Sequence, residues 1–183
     1  MDRFFLQKED TVLIIVDVQE RLAAVMEERR RVVVNTVHLI EAARLLTMPV
    51  ILTEQYPKGL GRTVEELRYS LSSAVQIEKM TFSCCGEPGF MSALESTGRK
   101  KVVMTGMETH VCVLQTCLGL LKEGYAVHAV ADAVCSRTEE NYRTGIEFMR
   151  DAGAVITCTE TALFQLLEKA GTEEFKTISK RIK

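Results

Sequence analysis

Thr11-Val12-Leu13-Ile14-Ile15-Val16 runs without a charged residue and is closed by Asp17. A short stretch that is apolar at every step, with no alternation, is the profile of a strand covered on both faces, as in a parallel sheet. Beyond it, Val33, Val37 and Ile40 recur at helical spacing within Val32 to Leu46, and Thr47-Met48-Pro49 ends that helix. Val50-Ile51-Leu52-Thr53 is a second buried strand, followed by the turn formers Tyr56-Pro57-Lys58-Gly59-Leu60-Gly61. A weaker, alternating strand over Val75-Gln76-Ile77-Glu78 ends at Lys79, and a short helix spans Pro88 to Thr97.

The same alternation continues to the far end. Lys101 to Thr105 reads as a strand broken by Gly106. A helix begins around Thr109 to Val111, runs to Lys122-Glu123 and is capped by Gly124. Tyr125 to Val130 is the next strand, and Thr138-Glu139-Glu140 opens a helix with a capping residue and an acidic first turn. Ala154 to Cys158 and a helix from Thr161 to Ala170 complete the set. The tail, 172–182, carries Phe175, Ile178 and Ile182 on one stripe and is expected to dock, or to be exchanged at an oligomer interface. Strands alternating with helices specify an α/β fold: a doubly wound, Rossmann-like parallel sheet of about six strands, helices on both faces, in one domain over residues 1–183.

Composition narrows the function classes. The 183 residues carry 23 Lys+Arg against 25 Asp+Glu, a net charge of -2, which argues against a nucleic-acid partner. Hydrophobic residues make up 46% and no apolar run approaches a membrane span, so neither disorder nor a membrane protein is indicated. Six cysteines without a framework spacing, and an N-terminus without a signal pattern, predict free thiols in a reducing cytoplasm. Glu27-Glu28-Arg29-Arg30-Arg31 reads as a solvated helix start.

Ligands of open parallel sheets bind at the carboxyl ends of the strands. That rule selects Asp17, Lys79 and the connection Gly106-Met107-Glu108-Thr109-His110-Val111-Cys112: a carboxylate, an ammonium and a thiol. Each has a plain alternative, since Asp17 fits a helix cap, Lys79 a surface lysine and Cys112 a small core residue. Among the cysteines, Cys112 falls in the first turn of a helix, where the dipole and a nearby Lys79 are expected to lower a thiol's pKa while Asp17 takes its proton. Cys117 and Cys158 read as core, Cys84 and Cys85 as cleft neighbours, and Cys135, at another strand's end, as the serious rival. His38, His110 and His128 are scattered, so neither a metal nor another cofactor is expected. The helix over 112–122 is apolar nearly all round, which predicts a homo-oligomer formed through it.

Val16-Asp17-Val18-Gln19-Glu20, Lys79 followed by Phe82-Ser83, and Thr105 to Val113 together resemble the isochorismatase-like cysteine hydrolases, over roughly residues 8–168. Thr53-Glu54-Gln55-Tyr56-Pro57-Lys58-Gly59-Leu60-Gly61 is similar to the subgroup of isochorismatase domain-containing proteins. The resemblance implies a catalytic triad of Asp17, Lys79 and Cys112. It also implies a cis peptide between Met107 and Glu108, and an oxyanion hole from the backbone N–H groups of Glu108 and Cys112. Nicotinamidase relatives carry a histidine-rich metal site where this chain has Gln55-Tyr56-Pro57, and true isochorismatases lack the nucleophilic cysteine that is present here as Cys112.

The resulting expectation is a hydrolase of a small amide or related carbonyl compound working through a thioester, with Gln19, Gln55, Tyr56, Phe82 and His110 lining the substrate pocket. Two other functions fit the same residues: a non-catalytic binding or scaffold protein that keeps the cleft, and a vinyl-ether hydrolase using Asp17 and Lys79 alone.

Overall fold

The computed structural model describes residues 1–71 and 73–183. Its parallel strands are β1 (Thr11–Val16), β2 (Val50–Gln55), β3 (Val75–Lys79), β4 (Lys101–Met107), β5 (Ala126–Cys135) and β6 (Val155–Thr157). They form one sheet in the order β3-β2-β1-β4-β5-β6. Short helices α1 (Glu20–Ala23), α3 (Pro57–Leu60) and α4 (Glu65–Arg68) sit in the connections, among the longer α2 (Arg29–Leu45), α5 (Pro88–Ser96), α6 (Leu114–Lys122), α7 (Glu139–Asp151), α8 (Thr159–Leu167) and α9 (Glu173–Arg181). Among the described residues, no helix is long and apolar enough to cross a membrane.

The central strand explains the architecture. All six residues of β1 are buried, because successive side chains serve two cores. Leu13 and Ile15 pack with Leu39 and Ile40 of α2, Leu163 and Leu166 of α8, and Ile178 of α9. Val12, Ile14 and Val16 pack with Phe90 and Leu94 of α5, Cys117 and Leu120 of α6, and Met149 of α7. Each such side chain contributes ~1.5–3 kcal/mol relative to exposure, so a polar substitution on either face of β1 opens a core. The fold is the expected doubly wound sheet, and its strand order reverses between β1 and β4.

Several local expectations are corrected. Gly106 does not break β4; the strand runs through it to Met107. The glycine is required there because its φ is 137° and a Cβ would lie 2.1 Å from the Val16 carbonyl oxygen of β1. β5 is longer than expected, reaching Cys135, with a register shift opposite Met104 and Gly106 that keeps Met107 paired with Cys135. Cys158 is not core: it is exposed, caps α8, and its Sγ lies 3.1 Å from Thr161 Oγ1. The apolar helix α6 buries Leu114, Cys117 and Leu120 and packs on α7 as well as on the sheet. On a further side it meets the Cys84–Gly86 turn, where a Cβ on Gly119 would come 2.8 Å from Cys85 Sγ. The tail helix α9 docks on α2 and α8, with Thr172 accepting from Phe175 N (3.1 Å) and Phe175 edge-on to Phe164.

Candidate active site

A sheet whose order reverses between neighbouring strands leaves a crevice at their carboxyl ends, because the connections depart to opposite faces. Here that crevice lies between β1 and β4. Asp17, the first residue past β1, takes a left-handed φ of 51°, a conformation that aspartate tolerates better than most side chains. Its N–H donates to Thr53 O of β2 (3.2 Å). Its carboxylate accepts from Thr53 Oγ1 at Oδ1 (2.7 Å) and from Lys79 Nζ at Oδ2 (2.7 Å).

Lys79 reaches this carboxylate from the end of the edge strand, past β2. Its ammonium also donates to Gln55 Oε1 (2.8 Å), Thr81 O (3.0 Å) and Phe82 O (3.2 Å). Both side chains of the pair are 0% exposed. A fully buried ion pair survives only when its remaining donors and acceptors are met, and here four acceptors surround the ammonium.

Cys112 lies in a wide turn, Thr109–Val113, that leads into α6 and is closed by Val113 N donating to Glu108 O (3.2 Å). It is 6% exposed, and its thiol lies within the field of Asp17. Burial, followed by the negative charge of Asp17, pushes the Cys112 thiol well above its ordinary value, with Lys79 opposing. The expectation of a lowered thiol pKa is thus reversed, because burial and the charge of Asp17 together outweigh the ammonium of Lys79. Burial likewise raises Cys84 and Cys135 to about 12. Cys135 lies in the core cluster on the opposite face of the sheet from Cys112.

The structure brings Asp17, Lys79 and Cys112 together and spreads the expected pocket residues around them. Gln55 orients Lys79 through Oε1 and donates from Nε2 to Met80 O (2.8 Å). Gln19 does not face an open pocket. Its amide is fully buried and spent on backbone, donating to Gln55 O and Gly61 O and accepting from Gln55 N. Tyr56, exposed and left-handed at φ 38°, rims a cavity of about 270 Å³ with Pro57, Lys58, Glu78, Met80 and Glu87; of the three central residues only Lys79 lines it. Phe82 is exposed, and His110 is half-buried with Nδ1 2.9 Å from Ser136 Oγ. The Met107–Glu108 peptide is cis. The Glu108 carboxylate accepts from both the backbone N and Nε of Arg137 (3.1 Å each). Among the described residues, no three His, Cys, Asp or Glu side chains are grouped to hold a metal ion.

Two contributors escaped the sequence reading. Thr53 holds Asp17, and its place at a strand's carboxyl end was the available signal. Glu54, buried on the other side of β2, binds Thr63 N and Oγ1 (2.7 Å each) and so ties down the loop that carries Tyr56.

Comparison with known proteins gives the family and the fold. The Isochorismatase domain family matches residues 11–161. The secreted isochorismatase effector Isc1 of Phytophthora sojae is 44% identical over 94% of this chain and 84% of its own. Isochorismatase domain-containing protein 2 of Danio rerio is 38% identical over 96% and 88%. Among solved structures, the MAR1 ribonuclease of Caenorhabditis elegans superposes with a TM-score of 0.92 at 36% identity, covering 97% of this chain and 92% of that one. YcaC from Pseudomonas aeruginosa, solved with hexane-2,5-diol and covalent acrylamide, gives 0.91 at 26%, covering 97% and 91%. The YcaC gene product of Escherichia coli, described as an octameric hydrolase of unknown specificity, gives 0.91 at 25%, covering 97% and 90%. On sequence, fold and the extent of these matches, the chain belongs to the isochorismatase family, with the isochorismatase domain-containing proteins among its relatives.

Proposed function

We propose that the protein is a cysteine hydrolase of a small amide or related carbonyl compound, with Asp17 as base, Cys112 as nucleophile and Lys79 as the cation that keeps Asp17 anionic. The observation that carries this reading is the fully buried Asp17 carboxylate, held by Lys79 at 2.7 Å, whose charge acts on the buried Cys112 thiol. Asp17 removes the thiol proton as sulfur attacks the carbonyl carbon. The N–H groups of Glu108 and Cys112 receive the oxyanion. The amine leaves with a proton from Asp17, and water hydrolyses the thioester. The covalent acrylamide in the Pseudomonas aeruginosa relative supports a reactive nucleophile in that protein, since acrylamide is captured through its alkene carbon. No cofactor takes part in these steps.

The substrate enters past Tyr56 and Met80, the exposed rim beside Lys79. The octameric Escherichia coli relative supports a homo-oligomer, and six free thiols support a reducing cytoplasm as the working compartment. The ribonuclease name of the Caenorhabditis elegans relative raises RNA as a second substrate class. A net charge of -2, and a cavity in which Lys58 and Lys79 are matched by Glu78 and Glu87, provide no basic surface for a polyanion.

A panel of small amides, ureas and a vinyl ether, with a labelled RNA alongside, tests the reading against Cys112→Ala and Cys135→Ala variants. Amide turnover should fall by roughly a thousandfold or more in Cys112→Ala and persist in Cys135→Ala. Vinyl-ether or RNA cleavage that survives Cys112→Ala, or a folded wild type that turns over nothing, would sink it.

A further inference from the structure

Residues 108–110 are held from outside the central trio. The Glu108 side chain is 9% exposed, and its Oε2 accepts two N–H groups of one residue, the backbone N and Nε of Arg137. One residue earlier, Ser136 Oγ lies 2.9 Å from His110 Nδ1. Both partners belong to the connection between β5 and α7, directly after Cys135, which pairs with Met107. α7 itself closes on the same backbone: a Cβ added to Gly145 would lie 3.0 Å from His110 N.

An arginine that is 59% exposed would ordinarily contribute little through a surface ion pair. Its partner here is nearly buried, however, and belongs to the residue whose N–H is assigned to the oxyanion. A carboxylate so close to a growing negative charge opposes it unless a cation offsets the carboxylate and fixes where it points.

We propose that Arg137 and Ser136 are positioning residues, clamping the Glu108–His110 turn so that the backbone N–H of Glu108 stays aimed at the oxyanion; this rests on the acyl-transfer reading of the site. Their effect is confined to steps that form an oxyanion. With p-nitrophenyl acetate, the Cys112 sulfur bonds to the acetyl carbon as its proton passes to Asp17, and the carbonyl π pair moves onto oxygen. Collapse of that oxyanion expels p-nitrophenolate and leaves an acetyl thioester. With iodoacetamide, the same sulfur displaces iodide and no oxyanion forms.

Both reagents are applied to the full chain and the Cys112 adduct is followed by peptide mass, which separates it from adducts at the exposed Cys158. Arg137→Ala should slow acetylation roughly tenfold to a hundredfold, as small misplacements at a reacting centre do, while alkylation changes by less than about twofold. Arg137→Lys, which keeps the charge but not the Nε donor, should recover part of the loss, and Ser136→Ala should show a milder version of the same split. Acetylation of Arg137→Ala at the wild-type rate overturns the clamp, and so does an equal fall in both rates. A wild type that is alkylated but never acetylated at Cys112 overturns the acyl-transfer reading, and the clamp with it.

Discussion

Replacing Lys79 with methionine removes an ammonium from between four acceptors while keeping most of the side-chain volume. Asp17 Oδ2 loses its partner at 2.7 Å and is left as a carboxylate with no solvent access, still accepting from Thr53 Oγ1. Breaking a buried pair on one side costs ~3–5 kcal/mol, because the survivor stays charged in a poorly polarisable surrounding. At about 2–4 °C of Tm per kcal/mol for a protein of this size, Lys79→Met should melt roughly 6–20 °C below wild type. Far-UV dichroism on heating reads this directly, and a urea titration followed by tyrosine fluorescence, without interference from tryptophan (0 Trp, 4 Tyr), gives the midpoint. Two comparisons isolate the cause. Asp17→Asn/Lys79→Met, with no buried charge left, should recover much of the loss. Arg29→Ala, which breaks an ion pair of 2.6 Å whose side chains are 40% and 46% exposed, should lose less than about 1 kcal/mol. Equal losses for Lys79→Met and Arg29→Ala would refute the claim that burial, and not distance, sets the strength of the central pair.

Alkylation of Cys112 by iodoacetamide should keep accelerating with pH beyond the ordinary thiol value of about 8.5, since burial and Asp17 both hold the proton on sulfur; Asp17→Asn should move the midpoint down, and a midpoint unmoved by that change would contradict the assignment. Burial lowers the pKa of His128, whose Nε2 lies 2.9 Å from Arg3 O. A histidine depressed in the folded state binds its proton more readily when unfolded, so its share of stability is complete above the ordinary value of about 6.5 and is lost as pH falls through and below it. Urea midpoints at pH 7.5 and 5.5 should therefore differ less in His128→Gln than in wild type, and an unchanged difference would show that His128 takes no part.

The parts of the fold that were legible in the sequence are those in which one pattern decides. β1 has no charged position to misread, and its six buried residues follow from that. Misreadings fell where a local signal competed with a tertiary one. Gly106 looks like a breaker, but its missing side chain admits the Val16 carbonyl and lets β4 continue. Cys158 ends an apolar run, yet β6 stops at Thr157 and the next residue is needed as a helix cap. At the site, strand-end placement offered Asp17, Lys79 and Cys112 with Cys135 as a rival, and the resemblance chose among them. The bonds that hold them, Thr53 to Asp17 across 36 positions and Arg137 to Glu108 across 29, leave no periodic trace in the sequence. Gln19 and Gln55 are expected from the sequence to line the substrate pocket; their amides hydrogen-bond to the frame around Lys79 and to the loop after β2.

The buried carboxylate and ammonium near Cys112 bear on how a thiol with a raised pKa can serve as a nucleophile. A raised value measures the loss of a proton to solvent, which adds a negative charge to a buried region already holding Asp17. The proposed reaction makes no such demand. A proton passing from Cys112 to Asp17 moves one negative charge from oxygen to sulfur and leaves the buried net charge as it was, with Lys79 still beside both. Burial therefore opposes the thiolate that alkaline solvent would create far more than the thiolate created by internal transfer. The same geometry makes Asp17→Asn severe for turnover even though it eases ionisation to solvent, because the amide accepts no proton. Alkylation rising and acetylation falling in that one variant would be the signature of a carboxylate that acts as the base, and no purely structural role for Asp17 produces the two changes in opposite directions.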